Sequence, residues 1–391
     1  MVSSKPKWDV LIAGGRVIDP KNAVDTQLDI AISEGSIASV GTGLSRSNAD
    51  SVIEADGMLV VPGLIDLHTH IYHKATAYGV DPEPIARRSG VVTMVDAGSA
   101  GAGNFAGLRD FIFARSPLRL LAYVNISYPG IFAFDRDFVV GEAAVRELLS
   151  VDHCVAAVQE NIDLVVGVKV RLGANTSGDL GLLALDRAIE AAERVGLPVM
   201  AHIGKPPPTY AEILARLRPG DILTHCFRPA PNAPVDTRGD VLPALIEARA
   251  RGVLFDIGHG MGAFGFKSAE SAISHGFLPD IISSDVHALC VDGPAFDLLH
   301  TMSKLMHCGV ALADAIAMAT HHPATAMGRP DLGHITIGGP ADLTLLKLVN
   351  VPLRFVDVLG QERIGSSRLS PCGAFAAGQY IESEIRDFES L

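Results

Sequence analysis

Cysteine is scarce in this chain of 391 residues: Cys154, Cys226, Cys290, Cys308 and Cys372 are odd in number and widely spaced. No Cys-x-x-Cys pair occurs, so neither a disulfide framework nor a structural zinc knot is expected, and a reducing cytoplasm suits the chain best. Charge is also thin, at 19% of residues, and the net value is −12 with no run of Lys and Arg able to track a phosphate backbone. Nucleic acid is therefore not an expected partner. Long hydrophobic runs are missing too. The apolar stretch after Trp8-Asp9 breaks at Gly14-Gly15-Arg16, too short for a secretory core or a membrane span, so neither a targeting segment nor a membrane partner is expected. No repeat of solenoid length and no low-complexity tract appears.

Apolar residues make up 48% of the chain, ample for a buried core. Residues 1–62 read as short β segments divided by turns, among them Val10-Leu-Ile-Ala, Asp29-Ile-Ala-Ile and Met58-Leu-Val-Val. From 63 to 335 the texture becomes apolar runs of about six residues alternating with Ala/Leu/Glu/Arg-rich stretches, the pattern of a parallel sheet wound by helices. Eight such runs begin at Leu64, Val91, Leu120, Leu164, Val199, Ile222, Val253 and Ile281. Eight strands close a barrel, so the expected fold is α/β, a (β/α)8 barrel. Residues 336–391 turn β-like again and are read as completing a small β-sandwich domain with the N-terminal segment.

In five of the eight runs a His, Lys or Asp interrupts the apolar residues near the C-terminal end, where barrel enzymes place their chemistry. Burying such groups among Val, Ile and Leu costs several kcal/mol each, roughly, unless a partner satisfies them, and one metal centre would satisfy all of them. His68 and His70, two residues apart, share one strand face. His202 and His225 end successive runs, and Asp285 closes the eighth. Each alone also fits a structural histidine or an ion-paired carboxylate. Lys169 stands between apolar neighbours, which lowers an amine's pKa and readies it to capture CO2 as a carbamate; a lysine reaching the barrel rim is the alternative. Arg171 shares the Lys169 face and would clamp a substrate carboxylate or form a rim salt bridge. His73, His259 and His287 fall just past strand ends, as candidate substrate contacts.

Val61-Pro-Gly-Leu-Ile-Asp-Leu-His-Thr-His70, together with Lys169, His202, His225 and Asp285, resembles the amidohydrolase superfamily in its binuclear subtype with a carboxylated lysine. Gly14-Gly15-Arg16-Val-Ile-Asp-Pro and Gly338-Gly-Pro-Ala-Asp342 resemble the segments framing the barrel in its urease-like branch. Asp96-Ala-Gly-Ser-Ala-Gly101, Asp256-Ile-Gly-His-Gly260, Thr224-His-Cys-Phe227 and Thr301-Met-Ser-Lys304 resemble a group of deacetylases often labelled dihydroorotase-like.

The resemblance implies two divalent ions, Zn2+ first and manganese second. His68, His70 and Asp285 would hold one, His202 and His225 the other, and the Lys169 carbamate would bridge them. It further implies that a metal-bound hydroxide attacks an ester or amide of a small acylated carboxylic acid while Asp285 carries the proton. A cyclic amidase or a nucleobase deaminase would use the same ions, and a scaffold protein without catalysis is the reading from another class. Tyr72 stands where dihydroorotases carry arginine, and Ile203-Gly-Lys-Pro follows His202 where deaminases carry glutamate. A small-molecule substrate is the expected partner, and family habit suggests a homo-oligomer.

Overall fold

The computed structural model describes residues 7–386. The outermost parts of the two expected terminal segments, 1–6 and 387–391, lie outside the described residues.

Seven parallel strands follow one another in chain order around the barrel: Leu64–Thr69, Val91–Gly101, Arg119–Asn125, Val165–Leu172, Val199–Ile203, Ile222–Thr224 and Leu254–Asp256. The eighth run, around 281–286, closes the ring by single bridges, Asp256 to Ile281 on one side and Thr69 to Val286 on the other. Its serines explain the irregularity, because their hydroxyls bind neighbouring carboxylates and backbone amides. Ser283 donates to Asp256 (2.6 Å), and Ser284 binds Asp66 while accepting from the Val286 amide (3.1 Å). The (β/α)8 architecture expected from the eight runs is thus present.

The helices cover the barrel through small residues. In Gly181–Val195 the residues Ala184, Ala188, Ala191 and Ala192 recur at helical spacing and are buried, so the helix lies close on the sheet. It stops at Gly196, whose φ of +68° is a left-handed turn open to glycine without cost. Inside the barrel, Ile65, Leu121, Val166, Met200, Ile222 and Ile281 pack into an apolar floor beneath the strand ends.

A separate mixed sheet forms an accessory β-domain from both ends of the chain. Trp8–Asp19 is central in it, antiparallel to Val24–Ser33 and parallel to Leu59–Pro62. Leu343–Val349 pairs antiparallel with Leu59–Pro62 and with Arg368–Ala376, which joins the two chain ends. The hairpin of Leu353–Val356 and Glu362–Gly365 stays out of that sheet and packs on the barrel, with Val358 N donating to Phe264 O (3.2 Å). No helix among the described residues is long and apolar enough to cross a membrane.

Candidate active site

The C-terminal ends of the barrel strands surround a cavity of about 270 Å³. His68, His70, Lys169, His202, His225 and Asp285 all line it, as do Arg171 and His287. His73 and His259 stand elsewhere: His73 is not part of the lining, and His259 is buried behind the wall with its ring stacked on Phe264 at 4.8 Å.

His68, His70 and Asp285 each offer a ligand atom within 4.8 Å of the others. Asp285 Oδ1 lies 3.2 Å from His68 Nε2 and 3.1 Å from His70 Nε2. The protonation pattern behind them gives this closeness its meaning. Thr224 Oγ1 donates to the Asp256 carboxylate at 2.6 Å, so it accepts from His68 Nδ1 at 2.9 Å. The His68 proton therefore sits on Nδ1 and a lone pair on Nε2 faces the cavity. His70 Nδ1 is engaged by Ser99 Oγ at 2.8 Å, and the Ser99 amide in turn donates to Asp96 (2.7 Å). Burial first, then neighbouring cations, keeps both imidazoles well below the ordinary histidine range, hence neutral. Lone pairs converging on a buried carboxylate oxygen repel unless a cation lies among them, and Asp285 Oδ1 has no hydrogen-bond partner. The donor set fits a divalent metal ion.

Backbone geometry aims these groups. Asp285 adopts φ +49° and His225 φ +72°, a left-handed conformation costing roughly 1–3 kcal/mol in a residue with a side chain. Asp285 is held there by donation of its amide to His68 O (2.7 Å). Opposite, His225 Nδ1 donates to Gly258 O (2.6 Å), leaving its Nε2 lone pair 2.7 Å from His202 Nδ1. Lys169 is fully buried between the two groups, 3.3 Å from His68 Nε2 and 3.3 Å from Met200 Sδ, with no carboxylate ion-paired to it among the described residues. Burial lowers its pKa to about 7, against the opposing pull of Asp285 and Asp256.

Around this core the described lining carries Arg171, Lys205 and Arg228 against one carboxylate, Asp285. In a chain of net charge −12 that is a local inversion of sign. Arg171 is buried, its Nη1 3.5 Å from Glu142 Oε2 and without a hydrogen bond, and its guanidinium lies over Phe134 at 4.7 Å. Among the described residues Arg228 has only carbonyl partners, Gly204 O and Pro231 O, and burial lowers its pKa. His287 stacks on Tyr78 at 4.2 Å, and its Nδ1 accepts from the Leu289 amide (3.2 Å), which puts its proton on Nε2. Burial brings its pKa to about 3. Sequence reasoning missed Arg228 and Tyr78. Arg228 had a signal, standing three residues past a histidine at a strand end; Tyr78, on a loop, had none.

A parallel barrel that gathers histidines and a carboxylate at the C-terminal ends of its strands is the framework of a metal-dependent hydrolase. The model of the amidohydrolase family matches residues 243–368. A deacetylase of Agrobacterium fabrum is 34% identical over 368 residues, covering 92% of this chain and 90% of the relative. Two solved structures, one described as an adenine deaminase and one as a dihydroorotase, each superpose with a TM-score of 0.89 at 32% identity. Each covers 96% of this chain, with 100% and 99% of their own chains matched. The chain belongs to the amidohydrolase family, and it is a metal-dependent hydrolase of small substrates.

Proposed function

We propose that the enzyme cleaves the ester or amide bond of a small acylated carboxylic acid, in the manner of a deacetylase. The observation that carries this reading is the charge of the cavity: among the described residues Asp285 is the one lining carboxylate, against two buried arginines, Arg228, whose partners are carbonyl oxygens, and Arg171, which has Glu142 at 3.5 Å outside the lining and a Nη1 without a hydrogen bond. An anionic substrate supplies the missing partner, and a bidentate carboxylate suits a guanidinium best. Arg171 or Arg228 would hold that carboxylate, with the neutral His287 as a further polar contact.

On this reading His68, His70 and Asp285 hold one divalent cation and His202 with His225 a second, zinc being the ion that imidazole and carboxylate ligands favour. Lys169 joins them as a carbamate, formed when its neutral amine adds CO2 and releases a proton. The bound cations supply Lewis acidity, polarising the substrate carbonyl and acidifying water. Asp285 would take the proton from the attacking water at Oδ2, the oxygen not aimed at the two imidazoles, and pass it to the departing oxygen or nitrogen. Thr224 and Ser99 fix the orientation of the two imidazoles beside it.

The described lining holds no glutamate to protonate a purine ring, which favours acyl hydrolysis over deamination. The test is a screen of acetylated hydroxy acids and amino acids against zinc- and manganese-loaded protein, with adenine, dihydroorotate and hydantoins alongside. Acetate release is expected. Ammonia from adenine, or ring opening with no acetate release, would overturn the proposal.

A further inference from the structure

A second cavity, of about 410 Å³, lies beside the reaction cavity, and Met261 lines both. Its other apolar lining comes from Phe296, Leu353, Val356 and Val358. The charged residues on its wall are already partnered. Arg354 pairs with Glu362 (3.0 Å) and Asp292 with Arg386 (3.6 Å). Asp357 accepts from the amides of Phe266, Leu359 and Gln361. With Pro294, the side chains of Phe296, Leu353, Val356 and Val358 give the cavity an apolar wall, beside the imidazole of His300 and the paired charges, whereas the reaction cavity carries arginines that face it.

The walls are held in place by one buried lysine. Lys304 Nζ donates to Pro294 O (2.6 Å) and Val356 O (2.7 Å), on two sides of this cavity, and meets His259 Nε2 at 2.9 Å. His259 Nδ1 in turn donates to Gly260 O (2.9 Å), next to Met261. All three ammonium protons are thus spent on tying together three segments that are distant in sequence. The motifs around His259 and Lys304, which the metal chemistry leaves unused, meet in this tie. A cavity with walls fixed in this way is preformed, which lowers the ordering cost of binding.

We propose that this second cavity is a subsite for an uncharged apolar arm of the substrate, and that Met261 is the residue setting how long that arm must be to enter it. The inference rests on the reading of the reaction cavity as the seat of a small carboxylate substrate. Methionine suits the role, being unbranched and able to move aside without leaving a fixed hole.

The test uses the metal-loaded enzyme and two homologous series. In one, 2-hydroxy acids are lengthened from a methyl to a hexyl side chain and their binding is read by calorimetry; in the other, lactate esters are lengthened from acetyl to octanoyl and read by turnover. Where the arm enters the subsite, each added methylene is expected to tighten binding or raise kcat/KM about fourfold, and the series that responds identifies which side of the scissile bond carries the arm. Val358→Trp, which fills the subsite, should flatten that gain, and Met261→Ala should move its onset to shorter arms. An unchanged length dependence in both variants, or no gain with length in either series, overturns the inference. Hydroxy acids that bind with a length dependence abolished by Val358→Trp, while no ester turns over, would sink the acyl-hydrolase reading and leave the subsite standing.

Discussion

Replacing Thr224 with valine probes how the fold makes His68 a ligand. The substitution keeps the shape of the side chain and deletes one hydroxyl, the atom 2.9 Å from His68 Nδ1 and 2.6 Å from Asp256 Oδ2. Two buried hydrogen bonds go, one of them to a carboxylate. Asp256 keeps its bond from Ser283 (2.6 Å), so it is weakened as an acceptor but not abandoned. The Nδ1 proton of His68 loses its acceptor in a site that is 1% exposed. A lost bond to a charged group costs about 1.5–3 kcal/mol. The metal-free Thr224→Val protein should therefore lose about 2 kcal/mol in urea unfolding.

The more telling effect is on the cation. A ligating imidazole that no longer donates from its far nitrogen is a poorer base and is free to turn, which typically costs 10–100-fold in metal affinity, or about 1.4–2.8 kcal/mol. Titration of metal-free protein against a chromophoric chelator reads that change, and Thr224→Ser should restore most of it. The pH profile adds a sign. Burial raises the Asp256 pKa to about 6, while its Ser283 and Thr224 hydroxyl donors pull it down. Deleting one donor moves protonation of Asp256 to higher pH, so the acid limb of cation binding should shift upward in the variant. A Thr224→Val protein that binds the cation with wild-type affinity and an unmoved acid limb would refute the argument that this hydroxyl links Asp256 to the ligand.

Other outcomes follow from the same geometry. Lys169→Met removes a buried amine that has no carboxylate partner among the described residues, so the metal-free thermal midpoint should not fall, while bound metal drops from two equivalents to one or fewer by elemental analysis. Gly260→Ala places a Cβ 2.2 Å from Asp285 Oδ2 at a φ of +52°, and displacement of that carboxylate should lower kcat/KM on the order of a hundredfold in steady-state assays. A wild-type rate in that variant would mean that Asp285 tolerates being moved. Arg228→Met should raise KM about tenfold or more for a carboxylate substrate and leave a neutral ester unaffected; equal losses on both would show that the arginine only supports the loop.

The barrel was legible because its strands are buried on both faces, which makes each one a nearly continuous apolar run. The same burial made the polar residues within those runs conspicuous: His68, Lys169, His202, His225 and Asp285 interrupt Val, Ile and Leu, and all of them line one cavity. The eighth strand was legible as a run although it pairs only by single bridges, because its Ile281-Ile282 pair is as buried as any other. Its serines, which break the ladder, look in sequence like ordinary small residues.

Direction was not legible, and His259 shows why. It follows its strand by a few residues, as His287 does, and periodicity cannot separate the two. In the structure His287 faces the cavity against Tyr78, while His259 turns outward because Lys304, 45 residues away, offers it a donor in a buried site. The supports of the ligands were hidden in the same way. Asp66, Asp96 and Asp256 are plain in the sequence as acids within apolar strands, and burial raises their pKa values to about 7, 6 and 6. What each one holds depends on a hydroxyl or amide brought in from elsewhere, such as Thr224 for Asp256 or Ser284 for Asp66. A single sequence reveals that a buried charge needs a partner. Which partner it finds is a property of the closed barrel, and in this protein that choice separates the histidines facing the reaction from the one that braces its wall.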